Sequence, residues 1–231
     1  MTKIASIILA VSLPLVVLAF WPLYLSRPFA LTDRYTHLHA ITGTLWLVLL
    51  IVQPVAIHNY LYTLHRYLGK VSFILAAVFF IAGILLSHYR LASMDEATFT
   101  VEGYGHFLPF YASIVFAVAY LFGLRYRHLP DVHGRFMLLT AIPLIDPVIG
   151  RVLFFYFTSL PHPLLYQAIT FTIATIVAAM IVFSYKGIGS TRRALISYFV
   201  VLVALEIGWF TFARTEAWLG MVAWFRSLPL T

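Results

Sequence analysis

The chain is a series of long apolar segments separated by short polar stretches. Seven of them cover residues 4–24, 37–57, 67–86, 107–124, 136–157, 164–185 and 194–212. Segments of this length match the roughly 20 residues that a helix needs to cross a hydrocarbon core, and runs such as 4–20 do not alternate as strands of a membrane barrel would. The pattern predicts an all-α membrane protein, a seven-transmembrane-helix bundle that forms a single domain over residues 1–231.

The two ends of the chain need separate interpretation. The first apolar run resembles a signal peptide, but bulky Phe20, Trp21 and Pro22 stand where small residues would mark cleavage, so we interpret it as a retained helix. The tail 216–231 is too short to span a bilayer and carries aromatic and basic residues. We therefore predict a short interfacial C-terminal segment.

Capping residues mark several of the predicted helix starts. Side chains of this class accept hydrogen bonds from the free backbone N–H groups of the first turn. The predicted N-caps are Asp33, Thr63, Asp131 and Ser190 or Thr191.

The composition excludes a soluble domain and several kinds of site. Hydrophobic residues make up 62% of the chain and charged residues 10%, with a mean hydropathy of +0.95. The absence of cysteine excludes disulfides, thiolate ligands, c-type haem attachment and cysteine-held iron–sulfur clusters. The net charge of +7 comes from residues that flank the spans and not from a basic tail, so we expect no nucleic-acid partner.

The positive charges predict an orientation. Nine Lys and Arg residues fall on one side, namely Lys3, Arg66, Lys70, Arg125, Arg127, Arg135, Lys186, Arg192 and Arg193. Five fall on the other, namely Arg27, Arg34, Arg90, Arg214 and Arg226. The excess places the N-terminus in the cytoplasm and the C-terminus outside, in a bacterial inner membrane, and makes 89–105 the longest external loop, a candidate lid.

Histidines form two layers at the ends of the predicted spans. The external layer holds His37, His39, His88, His106 and His162, and the cytoplasmic layer holds His58, His65, His128 and His133. Four of them open successive spans on alternating sides: His39 and His106 outside, His65 and His133 inside. Facing helices of a bundle can hold a cofactor between such side chains. The pattern predicts b-type haem, with His39 and His106 as one axial pair and His65 and His133 as the other.

Other interpretations of the histidines remain open. Gly43 and Gly69 follow His39 and His65 by one turn and would let a flat macrocycle approach, but bulky Phe110 follows His106. The two layers lie about 28 Å apart along an ideal helix, near the membrane edges. A single external metal site that binds Cu, Zn or Fe through His39, His88, His106 and His162 is an alternative. Each histidine taken alone is also typical of a side chain that anchors a span at the level of the lipid headgroups.

Three ionisable residues lie inside predicted spans. Asp146 and Arg151 are on the fifth span and Glu206 is on the seventh, and all three are candidate catalytic residues. Arg151 and Glu206 lie at similar depth, so we predict an ion pair, either within a proton path or anion clamp or as a structural lock. Pro143 and Pro147 predict a kinked helix that lines a cavity.

Short motifs resemble those of an uncharacterised bacterial family of multi-helix membrane proteins. The first motif is H-x-H-A from His37, then Gln53, then His65-Arg66-Tyr67-Leu68-Gly69-Lys70. The second is His133-Gly134-Arg135-Phe136-Met137, with Arg151 later. This resemblance implies no established activity.

The order of the histidines is also similar to that of the transmembrane di-haem cytochromes b, which reduce ferric iron or ascorbate radical. In that family, histidines on the second and fourth core helices bind one haem and those on the third and fifth bind the other. By position, the resemblance implies that His39 pairs with His106 and His65 with His133. This chain has seven predicted spans where that family has six.

These observations favour a membrane oxidoreductase component that moves electrons between a cytoplasmic-side or quinone donor and an external acceptor. Arg151 would hold a haem propionate or an anionic substrate. The expected partners are the lipid bilayer and a quinone or redox protein. A metal-dependent membrane enzyme or metal-handling factor, and a non-catalytic binding or scaffold protein, are the alternatives.

Overall fold

The computed structural model describes residues 13–157 and 163–231, which form a helical bundle. The first two helices are α1 (Leu13–Leu25) and α2 (Arg34–His58). They are followed by α3 (Tyr62–Ala92), α4 (Glu96–Glu102), α5 (Phe107–Arg125) and α6 (Pro130–Leu139). The last four are α7 (Ile145–Tyr156), α8 (Pro163–Phe183), α9 (Ser190–Phe210) and α10 (Glu216–Arg226).

Six helical segments of the described chain are long and apolar enough to cross a membrane. They are Arg34–His58, Tyr62–Ala92, Glu96–Arg125, Pro130–Tyr156, Leu164–Phe183 and Ser190–Arg214. Large apolar side chains such as Ile74 and Met180 point outward, 71% and 68% exposed, as expected of surfaces that contact lipid. The protein is therefore an all-helical membrane bundle. The predicted first span, 4–24, lies partly outside the described residues, and its described part belongs to α1.

An antiparallel hairpin of α2 and α3 defines the two ends of the bundle. The turn between them places Tyr60 in the left-handed region, with φ 59°. We call the end at which α2 begins and α3 ends the upper end, and the end with the connecting turn the lower end. Trp46 fixes this hairpin to the rest of the molecule, because its buried indole Nε1–H donates to Thr140 Oγ1 at 3.1 Å.

The predicted span 136–157 is two helices, α6 and α7, joined by a 3₁₀ turn over Ile142–Leu144. Pro143 has no N–H to donate to the Leu139 carbonyl one turn earlier, so an uninterrupted helix would leave that carbonyl unsatisfied. The Tyr198 hydroxyl of α9 donates to it instead, at 3.1 Å. Replacement of a lost backbone hydrogen bond from a neighbouring helix is how membrane helices accommodate proline.

One of the four predicted N-caps is confirmed. Asp33 accepts a hydrogen bond from the Thr36 N–H at 2.8 Å and starts α2. The other three predictions are wrong by a residue or two. Leu61, Leu129 and Gly189 occupy the cap positions of α3, α6 and α9, and none makes a side-chain cap hydrogen bond.

Helices cover the upper end. The predicted loop 89–105 is mostly helical, since it contains the end of α3, α4 and a 3₁₀ turn over Gly103–His106. The predicted interfacial tail forms α10, which buries Trp218, Val222 and Phe225 in the main hydrophobic core. Arg226 of α10 pairs with Glu96 of α4 at 2.9 Å, so these two helices form one cap.

Candidate functional site

His65 and His133, which we call the lower pair, lie near each other at the lower end. His65 is in the first turn of α3 and His133 is in the first turn of α6. Both side chains are partly buried, and the two imidazoles lie within electrostatic range of each other. The structure thus places at one end of the bundle the two histidines that the sequence pattern predicts as partners.

A backbone hydrogen bond fixes the tautomer of His133. Its Nδ1 lies 2.8 Å from the carbonyl oxygen of Gly123, near the end of α5. A carbonyl can only accept, so Nδ1 carries the proton and Nε2 is left with a free lone pair. An imidazole held in this way is prepared for coordination through its other nitrogen.

Two buried polar atoms at the lower end have no hydrogen-bond partner among the described residues. They are Nδ1 of His65 and Oε1 of Gln53 on α2. Gly69 lies one turn after His65, and the nearest atom to a methyl group added there would be Gln53 Nε2, 4.0 Å away. Buried polar groups of this kind are normally hydrogen-bonded, so these two atoms, on α2 and α3, mark positions where a polar ligand would find a partner.

His39 and His106 occupy the upper end but contact α3 one turn apart. The His39 ring lies against Gly83, 3.5 Å from a Cβ built on that glycine, and stacks on Phe79 at 5.0 Å. His106 Nδ1 lies 3.2 Å from Ser87 Oγ. Phe79 also fills the space at Gly43, where an added Cβ would meet its ring at 3.0 Å. The opening predicted beside Gly43 is therefore occupied by an aromatic ring.

The described histidines proposed for a single external metal site do not come together as a group of metal ligands. His88 is 1% exposed, its Nδ1 lies 2.7 Å from Thr231 Oγ1, and its ring packs edge-on against Phe225. His162 lies outside the described residues. Across residues 13–157 and 163–231, no three His, Asp or Glu side chains are placed to share a metal ion.

The remaining described histidines lie in different surroundings. His37 faces α1: its Nε2 donates to the Phe29 carbonyl at 3.0 Å and its Nδ1 accepts from the Tyr24 hydroxyl at 2.9 Å. His58 and His128 are exposed at the lower end. They provide natural controls for the lower pair.

The two carboxyl groups inside the bundle are bonded to neutral side chains. Asp146 Oδ1 accepts from the Gln167 amide at 2.6 Å and from the Thr170 hydroxyl at 2.8 Å. Glu206 accepts from the Tyr111 hydroxyl at 3.3 Å and from the Thr175 hydroxyl. α8 supplies three of these four donors and so links the carboxyl group of α7 to that of α9.

The predicted ion pair between Arg151 and Glu206 does not form. Arg151 Nη1 donates to the Pro147 carbonyl one turn earlier at 2.9 Å, and its guanidinium lies over the Phe20 ring at 4.7 Å. In the described part of the chain, no carboxylate oxygen lies within 4 Å of Arg151. The sequence argument matched the two residues by depth, but depth does not determine which way each side chain points around its helix.

Arg135 is a buried charge that the sequence argument counted only as a flanking cation. It is 5% exposed and pairs with Asp131, one turn earlier on α6, at 3.4 Å. Its Nη1 also donates to Ser184 Oγ at 2.6 Å and to the Ile181 carbonyl, both on or near the end of α8. The i,i+4 spacing of opposite charges was the signal that could have identified this link.

Comparisons with known proteins return no relative. No family model, no curated protein and no solved structure matches this chain.

Proposed function

We propose that this protein is a membrane electron-transfer component that holds a b-type haem between His65 and His133. The proposal rests on one observation above all: the Nδ1–H of His133 is bonded to the Gly123 carbonyl, which leaves Nε2 free at the end of the bundle that also holds His65. A haem bound there would supply one-electron redox chemistry, with a quinone or a redox protein as the electron partner.

The residues around the lower pair fit such a group. Nδ1 of His65 and Oε1 of Gln53 are buried and have no hydrogen-bond partner among the described residues, so a polar ligand there would satisfy them. Gly69 lies one turn after His65, and a methyl group added to it would meet nothing closer than Gln53 Nε2 at 4.0 Å. The chain has no cysteine, so imidazole is the strongest axial ligand it offers.

His39 and His106, at the upper end, are a weaker candidate for a second haem site. His39 and His106 match the lower pair in sequence pattern, but Phe79 fills the space beside Gly43. We therefore propose one haem at the lower pair, and two haems per chain would extend the proposal to His39 and His106.

Orientation belongs to the same proposal. The excess of Lys and Arg near the lower end favours a cytoplasmic location for that end, in a bacterial inner membrane. With seven membrane-spanning helices, the N-terminus is then inside and the C-terminus outside. A reporter that is active only in the periplasm, fused after Thr231, should be active. An inactive periplasmic reporter together with an active cytoplasmic one would reverse the topology.

The decisive experiment is an absorption spectrum of the gently solubilised protein from haem-replete cells. We expect a Soret band that shifts on dithionite reduction, and one haem per chain by pyridine haemochrome assay. His65→Ala and His133→Ala should each lose the low-spin spectrum, because one axial ligand is removed. The matched controls are His58→Ala and His128→Ala, which change exposed histidines at the same end.

Size-exclusion profiles of all four variants separate loss of haem from loss of folding. Folded but colourless His65→Ala and His133→Ala proteins support the proposal. A colourless, iron-free wild-type protein that elutes as a folded species contradicts it, as do lower-pair variants that keep the wild-type spectrum.

A further inference from the structure

Glu206, near the end of α9, is a buried carboxyl group whose hydrogen-bond partners are both neutral. The residue is only 6% exposed. Its Oε1 lies 3.3 Å from the Tyr111 hydroxyl of α5, and its Oε2 is hydrogen-bonded to the Thr175 hydroxyl of α8. Three helices therefore meet at one acidic group, and each neighbouring helix contributes one hydroxyl.

No cation among the described residues pairs with this carboxyl group. Across residues 13–157 and 163–231, no Lys, Arg or His nitrogen lies within 4 Å of a Glu206 carboxyl oxygen. The two long helices that pack against α9 account for this absence. α8 contains no Asp, Glu, His, Lys or Arg over Pro163–Phe183, and the only such residue of α5 is Arg125, at its end.

The charged residues at the two ends of α9 are distant from Glu206 or exposed. Arg192 and Arg193 lie in the first turn of α9, about 20 Å from Glu206 along the helix axis. Arg214, in the 3₁₀ turn after α9, is exposed and stacks on the Tyr104 ring at 5.2 Å. Neither end of α9 supplies a counter-ion to the carboxyl group.

Two further titratable groups, on α9 and on α7, are hydrogen-bonded elsewhere. Tyr198, two turns before Glu206 on α9, donates to the Leu139 carbonyl at 3.1 Å. Asp146 of α7 accepts from the Thr170 hydroxyl at 2.8 Å, at a different position of α8. Neither group is a cation, so neither offsets a negative charge on Glu206.

These surroundings favour the neutral form of the carboxyl group. An isolated carboxylate moved from water into an apolar interior costs so much free energy that it takes up a proton instead. Hydroxyl groups suit the protonated and the ionised form, because each donates one hydrogen bond and also accepts. A Lys or Arg partner would instead hold the carboxyl group as an anion.

We propose that Glu206 is a proton-binding site of the bundle, occupied at neutral pH, with the proton held between Tyr111 and Thr175. Proton binding converts the carboxylate to a carboxylic acid: Oε2 gains the O–H bond and donates to the Thr175 oxygen, while Oε1 accepts from Tyr111. Release returns the proton to solvent and leaves both hydroxyls as donors to the anion. The site needs no haem, so failure of this proposal leaves that for His65 and His133 intact, and the reverse also holds.

The test is the infrared spectrum of the full chain in neutral detergent, in the region where protonated carboxyl groups absorb and carboxylates do not. The wild-type minus Glu206→Gln difference should show one protonated-carboxyl C=O band at neutral pH. Transfer to D2O should move this band to lower frequency, because the bound proton exchanges. Glutamine is neutral and nearly the same shape, so we expect the variant to elute as a folded species.

The neighbouring hydroxyls test where the proton is held. Tyr111→Phe and Thr175→Val each remove one hydrogen bond and should move the C=O band to higher frequency, since hydrogen bonding weakens the carbonyl bond. Thr170→Val is the matched control, because it removes a hydroxyl of the same helix that contacts Asp146 instead. Asp33→Asn, which changes the N-cap carboxyl group of α2, should also leave the band unchanged.

The proposal is overturned if the folded wild-type protein shows no protonated-carboxyl band at neutral pH, or if the band survives Glu206→Gln. A band that keeps its frequency in D2O overturns it as well, because a proton that cannot leave is not a bound ligand. So does a shift in Thr170→Val as large as that in Thr175→Val. If Glu206→Gln does not fold, Tyr111→Phe and Thr175→Val decide, and an unchanged band in both variants overturns the proposal.

Discussion

Arg135 and Arg151 lie on the two halves of one broken span and have opposite surroundings. Arg135 follows Asp131 by four residues, pairs with it at 3.4 Å and also donates to Ser184 at 2.6 Å. Arg151 follows Asp146 by five residues and pairs with no described carboxylate within 4 Å. One residue of spacing decides whether the two charges of each pair share a helix face. Arg135 is thus satisfied within the protein, whereas Arg151 makes one hydrogen bond and no ion pair within the described residues.

The histidines show a related contrast between the two ends. His133 Nδ1 is fixed by the Gly123 carbonyl at 2.8 Å. His39 is packed against Phe79 and Gly83, and its Nδ1 has no hydrogen-bond partner among the described residues. One histidine is thus held by a hydrogen bond that fixes its tautomer, and the other by ring packing.

The largest expected effect is on Arg135, if that residue is a structural link. Arg135→Gln should lower the free energy of unfolding by about 3 kcal/mol, because it removes a buried charge with several hydrogen bonds between α6 and α8. Unfolding in mixed micelles with increasing dodecyl sulfate measures this. The control is Asp131→Asn, which should cost less than about 1 kcal/mol since the Asp131 side chain is 55% exposed. Equal losses in the two variants would show that the ion pair, and not the contacts to α8, supplies the stability.

The second effect compares the glycines beside the two histidine sites. Gly43→Ala should lower the free energy of unfolding by about 1–2 kcal/mol, because its methyl would meet the Phe79 ring at 3.0 Å. Gly69→Ala should change it by less than about 0.5 kcal/mol, because its methyl meets nothing closer than 4.0 Å. Micelle unfolding measures both variants. If Gly69→Ala lowered the free energy of unfolding and Gly43→Ala did not, the packing contrast between the two ends would be reversed.

The membrane-bundle architecture could be predicted from the sequence because it depends on segment length and hydropathy alone. The break between α6 and α7 could be anticipated from Pro143, since a missing N–H has a fixed consequence for the Leu139 carbonyl. The placement of His65 and His133 at one end of the bundle followed from alternation along the chain. All of these are consequences of one-dimensional spacing.

Features that depend on rotation about a helix axis were not predictable in the same way. Their similar depth in the membrane predicted that Arg151 pairs with Glu206, but Glu206 accepts hydrogen bonds from Tyr111 and Thr175 instead. The predicted external loop is helical where Asp95 caps α4, and Arg226 of α10 pairs with Glu96 of that helix. Hydropathy gives no information about either contact, because each joins residues far apart in sequence.

The third effect concerns Asp33, which both starts α2 and pairs with Arg90 at the upper end. Asp33→Ala should lower the free energy of unfolding by about 1 kcal/mol at neutral pH through loss of the cap. Partial burial raises the pKa of Asp33, but hydrogen bonds from the Thr36 N–H and hydroxyl and the charge of Arg90 hold it below its ordinary value of 3.8.

A carboxyl group with a lowered pKa stabilises the fold above its unfolded pKa, and that stability is lost as the pH falls through its folded pKa. The advantage of wild type over Asp33→Ala should therefore hold at neutral pH and shrink below a pH of about 4. Asp33→Asn, which keeps a capping oxygen without the charge, should lack this acid-dependent part. Thermal unfolding across the acid range measures it, and a pH-independent difference between wild type and Asp33→Asn would contradict the assignment.

The smallest effect, and the sharpest test of the contrast between the two arginines, is on Arg151. Arg151→Gln should change the free energy of unfolding by less than about 1 kcal/mol in neutral detergent, because the substitution gives up one hydrogen bond and one ring contact while removing a partly buried charge that has no ion-pair partner among the described residues. Thermal unfolding of both variants measures the difference, and Arg135→Gln should show the larger loss. A loss at Arg151 as large as that at Arg135 would mean that both arginines are structural links and that the one-residue difference in spacing has no energetic consequence.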